Sequence, residues 1–182
     1  MMSKKFVVLI LFGILVVGCA EKQDKVLFVT AASGVDGLEL GDTFNEVSEA
    51  FGAPLLAESE LVADSLTRNA WSVGEGRLSM LMYHDRVIQM HIEGNKFEMP
   101  NGISSQSTIE QLRATYPGSE ESIVPHDMEN KYLDSVDEGI AFSVRRGRPG
   151  EATNASGDVI NVFVHLPGHE VIVLPGNLDR IH

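Results

Sequence analysis

The sequence predicts an α+β protein made of two tandem repeats, each a short helix packed on a small antiparallel sheet. Three observations lead there. Residues 37–54, GLELGDTFNEVSEAFGAP, return 65 positions later as residues 102–118, GISSQSTIEQLRATYPG, with Gly37 on Gly102, Thr43 on Thr108, Phe44 on Ile109, Val47 on Leu112 and Phe51 on Tyr116. Each copy contains the S/T-x-x-E/Q pattern, Thr43 to Glu46 and Thr108 to Gln111, in which a hydroxyl and a carboxylate or amide satisfy each other's backbone donors at a helix start. After each copy come alternating apolar segments in the same order, the period of strands covered on one face.

The chain opens with Lys4 and Lys5 and an apolar run from Phe6 to Val17. That run is too short to span a bilayer and ends in small residues, so residues 1–18 read as a secretory leader. Val16-Val17-Gly18-Cys19 resembles the lipobox of bacterial lipoproteins, and Cys19 is the only cysteine. The resemblance implies cleavage before Cys19, diacylglyceryl transfer to its sulfur and acylation of the new amino terminus, an anchor of two or three chains. Ala20 rather than aspartate follows the cysteine, which by the same resemblance implies the periplasmic side of the outer membrane. Residues 19–25 form the lipidated tether. Six residues, Ala20 to Lys25, reach at most about 20 Å when extended, so the folded body stays close to the membrane.

Repeat 1 spans residues 26–93. Val26–Thr30 reads as an opening strand. Phe44, Val47 and Phe51 make one helical stripe after Thr43, and Gly52 with Pro54 stops the helix. A strand is expected around Asn69–Val73, marked by Trp71, then a hairpin of Leu78 to Tyr83 and Arg86 to Glu93 turning at His84-Asp85. Residues 94–101 serve as a connector.

Repeat 2 spans residues 102–182. Ile109, Leu112 and Tyr116 form its stripe and Pro117-Gly118 its stop. Strands follow at Lys131–Val136 and Gly139–Arg145, then a loop over residues 146–158 and a strand at Val159–His165. RVIQMHI (residues 86–92) matches DVINVFV (residues 158–164), so Ile88, Met90, Ile92, Ile160, Val162 and Val164 are expected to face the core. Val171–Leu174 reads as a closing strand between two Leu-Pro-Gly turns, which place Pro and Gly as a type II turn requires.

Composition narrows the partners. Removal of residues 1–18 takes two of the 14 basic residues and none of the 26 acidic ones, leaving a formal charge of −14. That sign argues against nucleic acid and against broad binding to anionic lipid. With Cys19 lipidated, no disulfide forms in the mature body, and 164 residues suffice for a packed core.

No nucleophile elbow, phosphate loop, dinucleotide fingerprint or H-E-x-x-H motif occurs. No catalytic residue, cofactor or metal is therefore expected, and the chain is not expected to be an enzyme. His165, His169 and Glu170 share one turn without an evident third ligand direction. Asp134-Ser-Val-Asp-Glu138 lacks the alternating oxygen ligands and glycine of a calcium loop. His91 falls opposite Ile88, Met90 and Ile92, either solvent-facing or packed under a helix. Arg145, Arg146 and Arg148 form the one basic cluster, a candidate contact for phosphate, carboxylate or an acidic partner, or a solvated hairpin end balanced by Asp134, Asp137 and Glu138.

The two helix starts, with their glycines and following strands, resemble the envelope-protein superfamily that includes the SmpA/BamE outer-membrane assembly lipoproteins and the β-lactamase inhibitor proteins. In layout the chain is also similar to RpoE-regulated lipoproteins of the YfeY type, although Gln106 stands where the first copy has Gly41. The resemblance implies a non-enzymatic lipoprotein that binds another envelope protein, through the sheet face opposite the helices or the loop over residues 146–158. Two other readings remain open: a small-ligand carrier or sensor with a pocket between the two units, and a hydrolase assembled around His84, His126 or His165.

Overall fold

Thr43 and Thr108 each start a helix with the expected cap. The computed structural model describes residues 25–55, 60–94, 96–124, 127–145 and 159–173. In α1 (Phe44–Phe51) the Thr43 hydroxyl accepts from the Glu46 amide, and the Glu46 carboxylate accepts from the Thr43 amide at 2.8 Å. That backbone hydrogen bond holds the Glu46 carboxyl below its usual range. Thr108 and Gln111 repeat the arrangement at α2 (Ile109–Thr115). Helices this short are unstable alone, and each buries one residue fully, Val47 or Leu112.

The strands, in chain order, are β1 (Val26–Thr30), β2 (Gly34–Val35), β3 (Leu38–Glu39), β4 (Glu60–Ala63), β5 (Leu66–Val73), β6 (Gly76–Tyr83), β7 (Arg86–Glu93), β8 (Lys96–Glu98), β9 (Glu120–Val124), β10 (Asp127–Ser135), β11 (Ile140–Arg145) and β12 (Val159–His165). They form a four-stranded sheet, β3-β2-β1-β8, and an eight-stranded sheet, β4-β5-β6-β7-β12-β11-β10-β9.

This overturns the predicted architecture of two helix-on-sheet repeats. Among the described residues the protein is mostly β, with two sheets, two α-helices and one 3-10 turn at Val136–Glu138. The returning strands β7 and β12, expected to end two separate sheets, pair antiparallel from Gln89–His165 to Glu93–Asn161. A free strand edge exposes unpaired amides and carbonyls, and joining the two edges satisfies both. Part of the expected connector is a strand as well: β8 runs parallel to β1 and closes the small sheet.

One main core is shared by both sheets and both helices. Leu27, Val29, Val35 and Phe97 of the small sheet, Val47 and Leu112 of the helices, and Trp71, Met80, Ile92, Phe142 and Val164 of the large sheet belong to the same buried cluster. The Trp71 indole donates to the Gly52 carbonyl at 2.9 Å, tying the end of α1 to β5. The two helix starts nevertheless have different neighbours. Gly41 and Asp42 hydrogen-bond to Val87 of β7, whereas Ile103 and Ser105 of the second start hydrogen-bond to Met99 and Phe97, around β8.

Of the six residues expected in the core, Met90, Ile92, Val162 and Val164 are there, while Ile88 and Ile160 are only half-buried. The cause is a β-bulge in each returning strand, at matched positions, which turns Val87 and Val159 inward instead. A bulge adds one residue to one strand and shifts the alternation beyond it.

Candidate functional site

Alternation along a strand sends every second side chain to the face away from the core. On the large sheet those residues are Gln89, His91 and Glu93 of β7, Asn161, Phe163 and His165 of β12, Ala141 and Ser143 of β11, and Tyr132 and Asp134 of β10. Sequence alternation marks this as a solvent face. In the structure Gln89, Tyr132, Asp134, Ala141, Ser143, Phe163 and His165 are all buried there.

Residues 166–173 cover part of it. The predicted Leu166-Pro167-Gly168 turn forms, with the His169 amide donating to the Leu166 carbonyl and Gly168 at φ 77°. The chain beyond it does not make the closing strand expected at Val171–Leu174: residues 171–173 join no ladder and Leu174 lies outside the described residues. Instead they form a strap over the sheet. The Gln89 side-chain amide donates to the Ile172 carbonyl at 2.7 Å and accepts from the Ile172 amide at 2.8 Å. One Asp134 carboxylate oxygen accepts from the Val171 amide at 2.8 Å. Val171 and Val173 pack on Tyr132, Ala141 and Phe163, an apolar cluster separate from the main core.

Asp134 is held in place by His165. Its other oxygen lies 3.0 Å from His165 Nε2, both side chains are almost fully buried, and His165 Nδ1 faces the Leu166 carbonyl at 3.1 Å. The two residues sit on strands separated by β11, where Ala141 pairs with Asp134 and Phe163 and the His165 amide donates to the Gly139 carbonyl at 3.1 Å. A neutral imidazole has one N–H for these two acceptors, and the contact with Nε2 orients Asp134 beneath the strap.

Beside the strap, His91 lies stacked on Phe163. His91 Nε2 and Asn161 Oδ1 are sealed from solvent without a hydrogen-bond partner. Burial pushes the His91 imidazole down to about 4, so it is neutral at physiological pH. Arg77 and Glu93 form an ion pair on the same face.

The sequence-derived candidates fall elsewhere. Arg145 ends β11 with its side chain exposed, and Arg146, Arg148, Cys19, His126 and the loop over residues 146–158 lie outside the described residues. Arg145 is not balanced by Asp134, which is buried against His165. His169 is exposed, His84 rests against the Tyr83 ring, and among the described residues no group of three metal-capable side chains converges. His91 lies half-buried on the outer face of the large sheet, stacked on Phe163 rather than open to solvent. Sequence reasoning missed Gln89 and Asp134 as functional groups. The available signal was Tyr132 and Phe163, large rings at positions that alternation assigns to solvent.

A separate groove of about 470 Å³ lies beside the small sheet, lined by Lys25, Phe28, Asp36, Leu38 and Phe51 among others. Lys25 pairs with Asp36 at 2.7 Å and sits over the Phe51 ring, and Phe28 is 65% exposed. The two halves of the large sheet meet in a continuous run of β7–β12 pairs.

Protein-family models and curated proteins give no match to the chain. Among solved structures, a cysteine-rich secretory protein from Staphylococcus aureus subsp. aureus Mu50 aligns with TM-score 0.46 at 12% identity, over 78% of this chain and 50% of that one. This chain therefore spans about half the length of that protein, a likeness too distant to assign a fold or a function.

Proposed function

We propose that this chain is a non-enzymatic lipoprotein, anchored through Cys19 to the periplasmic side of the outer membrane, that binds another envelope protein. The anchor reading is supported by the sequence Val16-Val17-Gly18-Cys19 at the end of an apolar leader, with no other cysteine in the chain. The binding reading is carried by one observation: Gln89 and Asp134 hold an extended backbone through side-chain hydrogen bonds across an apolar face. Side chains that grip amides and carbonyls suit polypeptide recognition.

Cells expressing the chain or its Cys19→Ala variant, fed a clickable palmitate analogue and then fractionated, test the anchor. Label and outer-membrane sedimentation in the first and loss of both in the second are expected. An unlabelled, freely soluble wild-type chain overturns the reading. Crosslinking in intact cells tests the partner: one envelope protein should be recovered reproducibly, and recovery of none across several growth conditions counts against it.

The groove at Lys25 and Phe51 favours a second reading, a small-ligand carrier. Its volume falls within the range of ligand sites, although such sites are usually more enclosed. A ligand retained through purification and lost on Phe28→Asp would favour it over protein binding.

A further inference from the structure

We propose that the strapped face of the large sheet is a docking channel for an extended polypeptide segment with β-branched residues two apart, and that residues 171–173 occupy this channel until a partner displaces them. The proposal rests on the reading of the chain as a binding protein and names the surface and the chemistry of what it takes.

The strap is held in a way that does not depend on its own sequence. Gln89 presents one donor and one acceptor to the two backbone groups of Ile172, as a neighbouring strand would, and Asp134 receives the next amide. Both clamps are buried beneath the strap, each 6% exposed, and Asp134 is oriented by His165. Any extended segment can satisfy the same three bonds. Side-chain selection comes from below, where Tyr132, Ala141 and Phe163 receive Val171 and Val173 while Ile172 between them is 40% exposed. The channel therefore reads apolar, free, apolar at period two.

The strap is held by side chains alone. It adds no strand ladder, its two valines are half-buried, and it hangs from a Pro-Gly turn at the end of β12. A mature body with formal charge −14 favours a partner segment with basic flanks. An occupied channel lowers apparent affinity by the fraction of time it stands open, so loosening the strap should strengthen binding of a competitor.

The test uses the full chain purified in detergent and a fluorescein-labelled peptide, Lys-Val-Ile-Val-Lys. Ile172→Pro removes the amide that Gln89 accepts from, and should bind the peptide at least about tenfold more tightly than wild type. Adding Gln89→Ala to that variant should remove the gain. Equal binding by wild type and Ile172→Pro, or a gain insensitive to Gln89→Ala, overturns the proposal. Hydrogen exchange on the unmutated chain is an independent measurement. The Val171 and Ile172 amides should exchange by local opening, well ahead of β7 and β12, whereas exchange only together with those strands also overturns it. Both measurements are independent of lipid attachment and of cell crosslinking, so failure here with a labelled, membrane-bound chain sinks the channel alone.

Discussion

His91 stacks on Phe163 with ring centroids 4.1 Å apart and planes 11° from parallel. The two residues face each other across the β7–β12 junction and occupy matched positions in RVIQMHI and DVINVFV. The junction is symmetric about them: the shift that aligns the two strands converts the pair Met90–Val164 into Val162–Ile92. A sequence repeat expected to make two sheets thus meets itself at the centre of one.

Because burial lowers His91 from 6.5 to about 4, the unfolded chain binds a proton that the folded chain refuses between those values. Stability therefore falls as pH drops through that window, and the loss is complete below about 4. Its ceiling is about 3 kcal/mol. His91→Phe keeps the stack and removes both the titration and the unpartnered nitrogen. Urea unfolding at pH 7, 6, 5 and 4 should show a flatter dependence for the variant, and parallel curves would refute the assignment.

Asp134→Ala leaves His165 Nε2 buried without its acceptor and frees the strap's Val171 amide, a loss of about 3 kcal/mol. His165→Leu should be costly too, since it strands the carboxylate. The double variant should lose less than the two single losses combined, by about 1 kcal/mol or more. Strict additivity would show that the 3.0 Å contact carries no energy of its own.

Gly139 separates strain from crowding. At φ 64°, an added Cβ would stand 2.4 Å from the His165 carbonyl oxygen and 3.0 Å from Ala32 Cα. Gly37 has φ 86° and nothing within 4 Å of the same point. Gly37→Ala should cost about 1 kcal/mol from backbone conformation alone, and Gly139→Ala at least about 2 kcal/mol more. Equal losses would mean that backbone and neighbours relax around position 139.

Thr43→Ala and Thr108→Ala should each cost about 1 kcal/mol, because each removes the acceptor for a helix-start amide. Trp71, the only tryptophan, is fully buried and reports unfolding by the red shift of its emission. Its indole donates to Gly52 at the end of α1. A loosened α1 should therefore shift native emission in Thr43→Ala and leave it unchanged in Thr108→Ala.

What the sequence determined by itself is local. The caps at Thr43 and Thr108, the hairpin turn at His84-Asp85, the Leu166-Pro167-Gly168 turn and the spans of the hairpin strands all rest on hydrogen bonds and dihedral preferences within a few residues. Tertiary structure alone decided that β7 lies beside β12, because every strand edge offers the same amides and carbonyls and alternation names a face, never a neighbour. It also decided that Val87 and Val159 replace Ile88 and Ile160 in the core, since a bulge depends on the partner strand. The candidate site was legible only in its rings, Tyr132 and Phe163. Gln89, Asp134 and His165 have the polarity of a solvent face, and only the strap folding back over them turns that polarity into a buried clamp.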